Sequence, residues 1–144
     1  MYGINTGFGK FSDIAIPEDE INLHQINLIL ADAAGVGEPL PKDVVRGMLV
    51  MRANSLMNGY SGVRPVIIET LIEMLNEGVY PVIPEKGSVG SSGDLCPLAH
   101  MVLPMIGLGE AEYDGVVLEG RNAMEKAGIP TVELKAKEGL ALIN

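Results

Sequence analysis

The chain has 144 residues, of which 47% are hydrophobic, and a formal net charge of -9 at pH 7. That length is typical of one domain and suffices for a substantial core. The acidic balance argues against nucleic acid or an anionic membrane surface as partner, and no apolar run approaches the roughly 18 residues of a membrane span. Because no signal peptide precedes Tyr2, we expect a cytoplasmic location. The lone Cys96 excludes an internal disulfide, and the isolated His24 and His100 predict no metal site.

Three helices are predicted in the first half of the chain. Each follows an acid-rich turn or a proline, shows apolar residues at helical spacing, and ends at or near a glycine. The predicted bounds are 21–35, 41–59 and 65–78.

The second half of the chain predicts shorter elements. Residues 95–108 are almost uncharged, which indicates a buried helix. Residues 112–117 are typical of a small hairpin or turn, and residues 122–126 form a short helix before Gly128. The predicted fold class is therefore mainly α with few strands, in a single domain over 1–144.

A Gly/Ser-rich loop, GSVGSSGDL at 87–95, precedes the apolar run CPLAH. The composition predicts a tight backbone turn that enters a helix at about Leu95, with Ser92 or Asp94 as its cap. By itself the loop is either a capping turn or an anion-binding turn at a helix N-terminus. No Gly-Lys-Ser/Thr follows it, so it is not a nucleotide P-loop.

A second glycine-rich segment, YGINTGFG, lies at 2–9. Alone it would be interpreted as a mobile loop near a chain end. Further distinctive segments follow in order at 27–40, 52–64, 84–87 and 137–144.

Taken together, these segments resemble the histidine and aromatic amino-acid ammonia-lyase family over the whole chain. The family patterns YGVNTGFG and GSVGASGDLAPLAH match 2–9 and 87–100 with few changes. The surrounding sequence reads closest to the histidine lyases of that family. The resemblance implies the helical N-terminal part of the ammonia-lyase fold and non-oxidative elimination of ammonia, from histidine to give urocanate.

The family makes its cofactor, a methylidene-imidazolone, from an Ala-Ser-Gly tripeptide of its own backbone. The matching residues are Ser91, Ser92 and Gly93. Ring closure needs the amide nitrogen of Gly93 to attack the carbonyl of residue 91, and a glycine leaves that nitrogen unobstructed. Ser92 carries the β-hydroxyl that is lost as water. Since residue 91 supplies only a carbonyl, we expect Ser91 to permit autocatalytic cofactor formation although the family has alanine there.

The resemblance also assigns roles outside this loop. Tyr2 matches the family tyrosine that acts as catalytic base, and Asn144 lies in the family's LINGT segment and is counted among the predicted catalytic residues. The pair that faces the substrate side chain aligns with Ala31 and Asp32. Histidine lyases have Ser-His there, tyrosine lyases His-Leu and phenylalanine lyases an apolar pair.

The Ala31–Asp32 pair matches none of these patterns. An aspartate can hold an imidazolium, a phenol hydroxyl or another cationic side chain through a charge-assisted hydrogen bond. The alternative is a solvated helix residue. A lyase or aminomutase for another aromatic amino acid therefore stays open.

Both chain ends fall inside family segments, so we expect a truncated domain. The family arginine that binds the substrate carboxylate lies beyond residue 144, and the isolated chain is expected to be inactive. A catalytically silent structural fragment is the alternative. The predicted partners are a small amino-acid substrate and, since the family forms tetramers with shared active sites, further copies of the chain.

Overall fold

The computed structural model describes all residues, 1–144, and the prediction of a mainly α fold is confirmed. The helices are α1 Ile21–Asp32, α2 Lys42–Met57, α3 Pro65–Glu77, α4 Leu95–Val102, α5 Gly120–Lys126 and α6 Glu138–Ile143. The strands are β1 Val36–Pro39, β2 Tyr80–Pro81, β3 Pro84–Lys86, β4 Glu110–Tyr113 and β5 Val116–Glu119. None of the helices has the length and apolar character needed to cross a membrane.

Helix α3 shows how local signals set the helix ends. Pro65 occupies its first turn, where no intrahelical N–H partner is needed, and Gly78 closes it in the left-handed conformation with φ +75°. The predicted bounds of this helix are confirmed. Helix α1 ends at Asp32, earlier than predicted, because Ala33 already leaves helical geometry with ψ +59°.

The prediction that one helix spans 95–108 is wrong. Helix α4 ends at Val102, and a separate 3₁₀ turn, Pro104–Ile106, follows it. Pro104 lacks the N–H that would continue the α-helical ladder, and its ring obstructs the preceding turn. The predicted burial is confirmed, since four residues of α4 are buried: Leu98, Ala99, Met101 and Val102.

The segments that connect the helices form two small antiparallel sheets. Strands β4 and β5 form the predicted hairpin, and its turn residues Asp114 and Gly115 have φ +51° and +79°, as in a two-residue Asp-Gly turn. Strand β2 adds to β4, while β1 pairs separately with β3. The β1–β3 pair matters for the site because β3 leads directly into the Gly/Ser-rich loop at 87–94.

The core is one cluster of 24 buried apolar residues. Helix α4 lies against α1, α2 and α6, and the last turn of α6 is buried by Leu142 and Ile143, both with no exposed surface. No helix was predicted over 138–143. Helix α6 is what carries Asn144 across to the Gly/Ser-rich loop.

Candidate active site

The loop at 87–94 exposes Ser91, Ser92 and Gly93 at the surface. Ser92 and Gly93 both adopt left-handed backbone, with φ +59° and +90°. That conformation costs a residue with a side chain roughly 1–2 kcal/mol, so the surrounding structure must hold Ser92 in place. Gly93 has open space where a Cβ would be, the nearest atom being the Asn144 carbonyl carbon at 4.0 Å.

Neither predicted cap binds the start of α4, which has no side-chain capping hydrogen bond. The Asp94 carboxylate instead accepts a hydrogen bond from the Ser88 hydroxyl. The Ser92 hydroxyl accepts a hydrogen bond from the side chain of Asn144. The predicted helix start at Leu95 is confirmed, and Asp94 does occupy the N-cap position, but the predicted side-chain cap does not form because both side chains have other partners.

The side-chain amide of Asn144 donates a hydrogen bond from Nδ2 to Ser92 Oγ, at 2.8 Å. These residues are 52 positions apart in the chain. The structure thus places the hydroxyl of the predicted cofactor serine against the side chain of a second predicted site residue.

Arg52 on α2 supports the end of α6. Its Nη1 donates to the main-chain oxygen of Asn144 at 3.0 Å and to the carbonyl of Ala141 at 3.4 Å. Burial lowers the pKa of Arg52, although a guanidinium stays protonated under any ordinary condition. Arg52 lies in a segment that the sequence analysis singled out, but no role followed from its position.

Helix α6 is held at its start by Glu138, whose side chain is 3% exposed. The carboxylate accepts hydrogen bonds from Arg64 Nε, Arg64 Nη2 and the Lys135 N–H, each at 2.8 Å, and from the Arg64 N–H at 3.1 Å. Gln25 Oε1 accepts from the N–H groups of Gly139 and Leu140 at 3.1 and 3.4 Å. Sequence reasoning missed these residues, because no local signal connects positions 74 or 114 apart.

The Arg64–Glu138 pair predicts a specific acid sensitivity. Burial acts to raise the pKa of Glu138, but the hydrogen bonds from Arg64 and the Lys135 N–H, with the charge of Arg64, outweigh it and hold this pKa below its usual value of about 4.3. The resulting stabilisation is present above the unfolded-state pKa and is lost as pH falls through the lower folded-state pKa. Glu138→Gln should lower the free energy of unfolding by roughly 2 kcal/mol at pH 7, less than for a fully buried pair because Arg64 is 42% exposed.

Urea unfolding of the chain at pH 7 and pH 3 checks this expectation. The difference between wild type and Glu138→Gln should shrink at pH 3. The matched control is Glu125→Gln, which removes an exposed carboxylate from α5. An equal difference at both pH values would contradict the prediction.

Tyr2 is held in the loop before α1. Its hydroxyl accepts a hydrogen bond from the Gly9 N–H at 3.2 Å, and its ring meets Phe8 edge-on with the centroids 6.0 Å apart. Phe8 in turn stacks on His24 of α1, with centroids 4.8 Å apart and the rings 2° from parallel. An aromatic chain thus connects the Tyr2 loop to the folded body.

Tyr2 and Asn144 line the same cleft, which has a volume of about 300 Å³. The other lining residues are Tyr60, Ser61, Lys137, Leu140 and Ala141. With the Asn144–Ser92 hydrogen bond, the structure brings Tyr2, Asn144 and Ser92 to one region. This region therefore contains a phenol, an amide donor and an exposed Ser-Ser-Gly turn.

Ala31 and Asp32 form the end of α1 and are not among the residues that line this cleft. Ala31 is exposed and Asp32 half-buried, and burial raises the pKa of Asp32. Just after them, the Gly35 N–H donates to His100 Nε2 at 3.0 Å, and burial lowers the pKa of His100, which favours the neutral acceptor. A Cβ on Gly87 would lie 3.2 Å from the Gly35 Cα, so this turn lies beside the start of the Gly/Ser-rich loop.

Comparisons with known proteins agree with this description. The sequence profile of the family described as aromatic amino acid lyase matches residues 1–144. The chain is 67% identical, over its full length, to a protein named histidine ammonia-lyase from Alkaliphilus metalliredigens, of which it covers 28%. It superposes on a phenylalanine aminomutase of Pantoea agglomerans with a TM-score of 0.94 and 44% identity, and on a histidine ammonia-lyase of Trypanosoma cruzi with 0.90 and 40%. All of this chain is covered in both superpositions, against 28% and 27% of the two structures.

The class that the fold and these matches define is that of proteins described as lyases and aminomutases of aromatic amino acids. This chain belongs to the aromatic amino acid lyase family, which confirms the resemblance. It spans 28% of the length of the curated relatives it matches.

Proposed function

We propose that the chain is part of a carbon–nitrogen lyase that eliminates ammonia from histidine to give urocanate. The observation that carries the proposal is the 2.8 Å hydrogen bond between the Asn144 amide and the Ser92 hydroxyl. It joins two separate family segments at the residue whose dehydration the chemistry requires. The 67% identity to a protein named histidine ammonia-lyase supports histidine as the substrate.

The residues of the loop fit a methylidene-imidazolone. Gly93 has an amide nitrogen with no side chain beside it and open space where a Cβ would be, and Ser92 and Gly93 both have the left-handed backbone of a tight turn. Ser92 carries the β-hydroxyl that must leave, and the Asn144 amide holds its oxygen. When present, the cofactor supplies an electrophile for the substrate amine.

The chain's own groups account for proton removal in this scheme. We assign Tyr2 as the base that takes the β-proton of the substrate, because its phenol lines the cleft that Asn144 also lines. The Gly9 N–H fixes the phenol oxygen through its hydrogen bond. A base contributes only when held within reach of the proton it removes.

Copies of the chain are the proposed partners. Helix α2 leaves large apolar side chains at the surface, with Met51 68% and Met57 65% exposed. Such surface is usually covered in an assembly, which favours a homo-oligomer. We propose the cytoplasm as its location, since the proposed substrate is a free amino acid.

The proposed function is tested in a chimera in which this chain replaces the matching 144 residues of the Alkaliphilus metalliredigens relative. Incubation with histidine should release ammonia and give the ultraviolet absorbance of urocanate. Phenylalanine and tyrosine are the competing substrates, favoured by the likeness to a phenylalanine aminomutase. A product from one of them alone would replace histidine in the proposal. A folded chimera without turnover would favour a silent structural segment.

Asp32→His in the same chimera tests the substrate-facing assignment of the Ala31–Asp32 pair. If Asp32 faces the substrate, the change should raise the ratio of kcat/KM for histidine over tyrosine by about tenfold, the range that one pocket contact commands. The control is Asp43→His, at an exposed helical position in the first turn of α2. An unchanged ratio would assign Asp32 to the solvated surface of α1.

A further inference from the structure

The start and the end of α6 make different contacts in this structure. Its start carries Glu138 with four hydrogen bonds, and Asn144, just past its end, contacts Ser92. A helix rises 1.5 Å per residue, so the two residues lie about 9 Å apart along the axis. A rotation or translation of α6 at Glu138 therefore also moves Asn144.

Close packing prevents α6 from shifting alone. A Cβ on Gly139 would lie 2.8 Å from the Gln25 carbonyl oxygen, so the helix start touches the main chain of α1. Gln25 Oε1 also accepts hydrogen bonds from the first turn of α6. Lys137, immediately before the helix, has φ +70°, a conformation that a lysine adopts only when its surroundings impose it.

A buried carboxylate is a directional way to hold a helix. An apolar side chain of similar volume would stabilise such a site about as well, but it would not set the rotation of the helix. Glu138 receives donors from the start of α3 and from the loop before α6, so its two oxygens define one orientation.

From this geometry we infer that Glu138, held by its ion pair with Arg64, is a positioning residue. It keeps the Asn144 side-chain amide in hydrogen-bonding contact with residue 92. Glu138 does not line the cleft shared by Tyr2 and Asn144, and it does not contact Ser92. Its effect on the reaction therefore runs through α6. The kinetic part of this inference rests on the proposed function, whereas its structural part does not.

The test is a double-mutant cycle in the chimera with Glu138→Gln, Asn144→Ala and the double variant. Glu138→Gln should lower kcat by about tenfold to 10²-fold with little change in KM, the cost of misplacing a group by about 1 Å. The double variant should be no slower than Asn144→Ala alone, since the two residues act as one unit. If the kcat losses of the two single variants multiply in the double variant, the inference is overturned.

Two controls separate positioning from general destabilisation. Glu125→Gln, an exposed carboxylate on α5, should leave kcat unchanged. Ile129→Ala removes a buried side chain from the segment after α5, outside α6, and should lower the melting temperature without the loss in kcat. If Ile129→Ala slows the reaction as much as Glu138→Gln at an equal fall in melting temperature, positioning is refuted.

Crystal structures of the wild-type and Glu138→Gln chimeras give a readout that needs no turnover. The Asn144 amide should move by about 1 Å or more relative to α4, enough to break a hydrogen bond. An unmoved amide would overturn the inference. If the wild-type chimera does not act on histidine, the proposed substrate fails, while this displacement still decides whether Glu138 positions Asn144.

Discussion

Ser92→Ala in the chimera is expected to abolish lyase activity, with kcat lowered on the order of 10⁴-fold or more, as when a covalently reacting group is removed. Alanine has no β-hydroxyl, so no exocyclic double bond can form at residue 92. Intact mass should show the wild type lighter by two water molecules, one lost in ring closure and one from Ser92. The variant cannot lose the second of these water molecules, so it should be heavier than the modified wild type by at least the mass difference that this loss and the substitution together predict.

Ser91→Ala is the matched control for this experiment. It removes a neighbouring hydroxyl from the same exposed turn and installs the residue that the family pattern has there. Since residue 91 supplies only its carbonyl, the Ser91→Ala protein should show the same mass loss and activity within a few-fold of wild type. Full turnover by Ser92→Ala, or an unmodified wild-type mass, would refute the cofactor assignment.

Tyr2→Phe should lower kcat by about 10²–10⁴-fold, the range for loss of a general acid–base group. The substitution keeps the ring that meets Phe8 edge-on and removes only the hydroxyl that accepts from Gly9. The loss of two waters should persist, because the phenol takes no part in ring closure.

Steady-state kinetics and intact mass of the same Tyr2→Phe sample check both halves of this expectation. Tyr113→Phe, which removes a hydroxyl from β4 outside the cleft, is the matched control and should retain activity. A Tyr2→Phe enzyme as fast as wild type would assign proton removal to another group. Loss of the mass change would instead show that the Tyr2 loop supports ring formation.

Local chemistry made several parts of the fold predictable. Pro65 and Gly78 mark the ends of α3 because each restricts or releases the backbone at one position. The Asp114-Gly115 pair determines the hairpin turn in the same way. The overlong prediction at 95–108 fails for a related reason: apolar composition continues past Pro104, whereas the hydrogen-bond ladder does not.

The residues of the candidate site were likewise predictable where local sequence alone points to them. Ser91, Ser92 and Gly93 are consecutive residues, and the Tyr2 segment is also one continuous stretch of sequence. The residue types that their proposed chemistry needs can therefore be recognised from the sequence alone. Their catalytic roles stay predictions until the variants are measured.

The amino-acid sequence by itself therefore determined the helical class, both ends of α3, the hairpin and the family. Only the tertiary structure decided that Asn144 meets Ser92 and that Glu138 meets Arg64. Those pairs are 52 and 74 positions apart, and no local propensity acts over such distances. They form because burying α6 between α1 and α4 brings its start to Arg64 and its end to the Gly/Ser-rich loop.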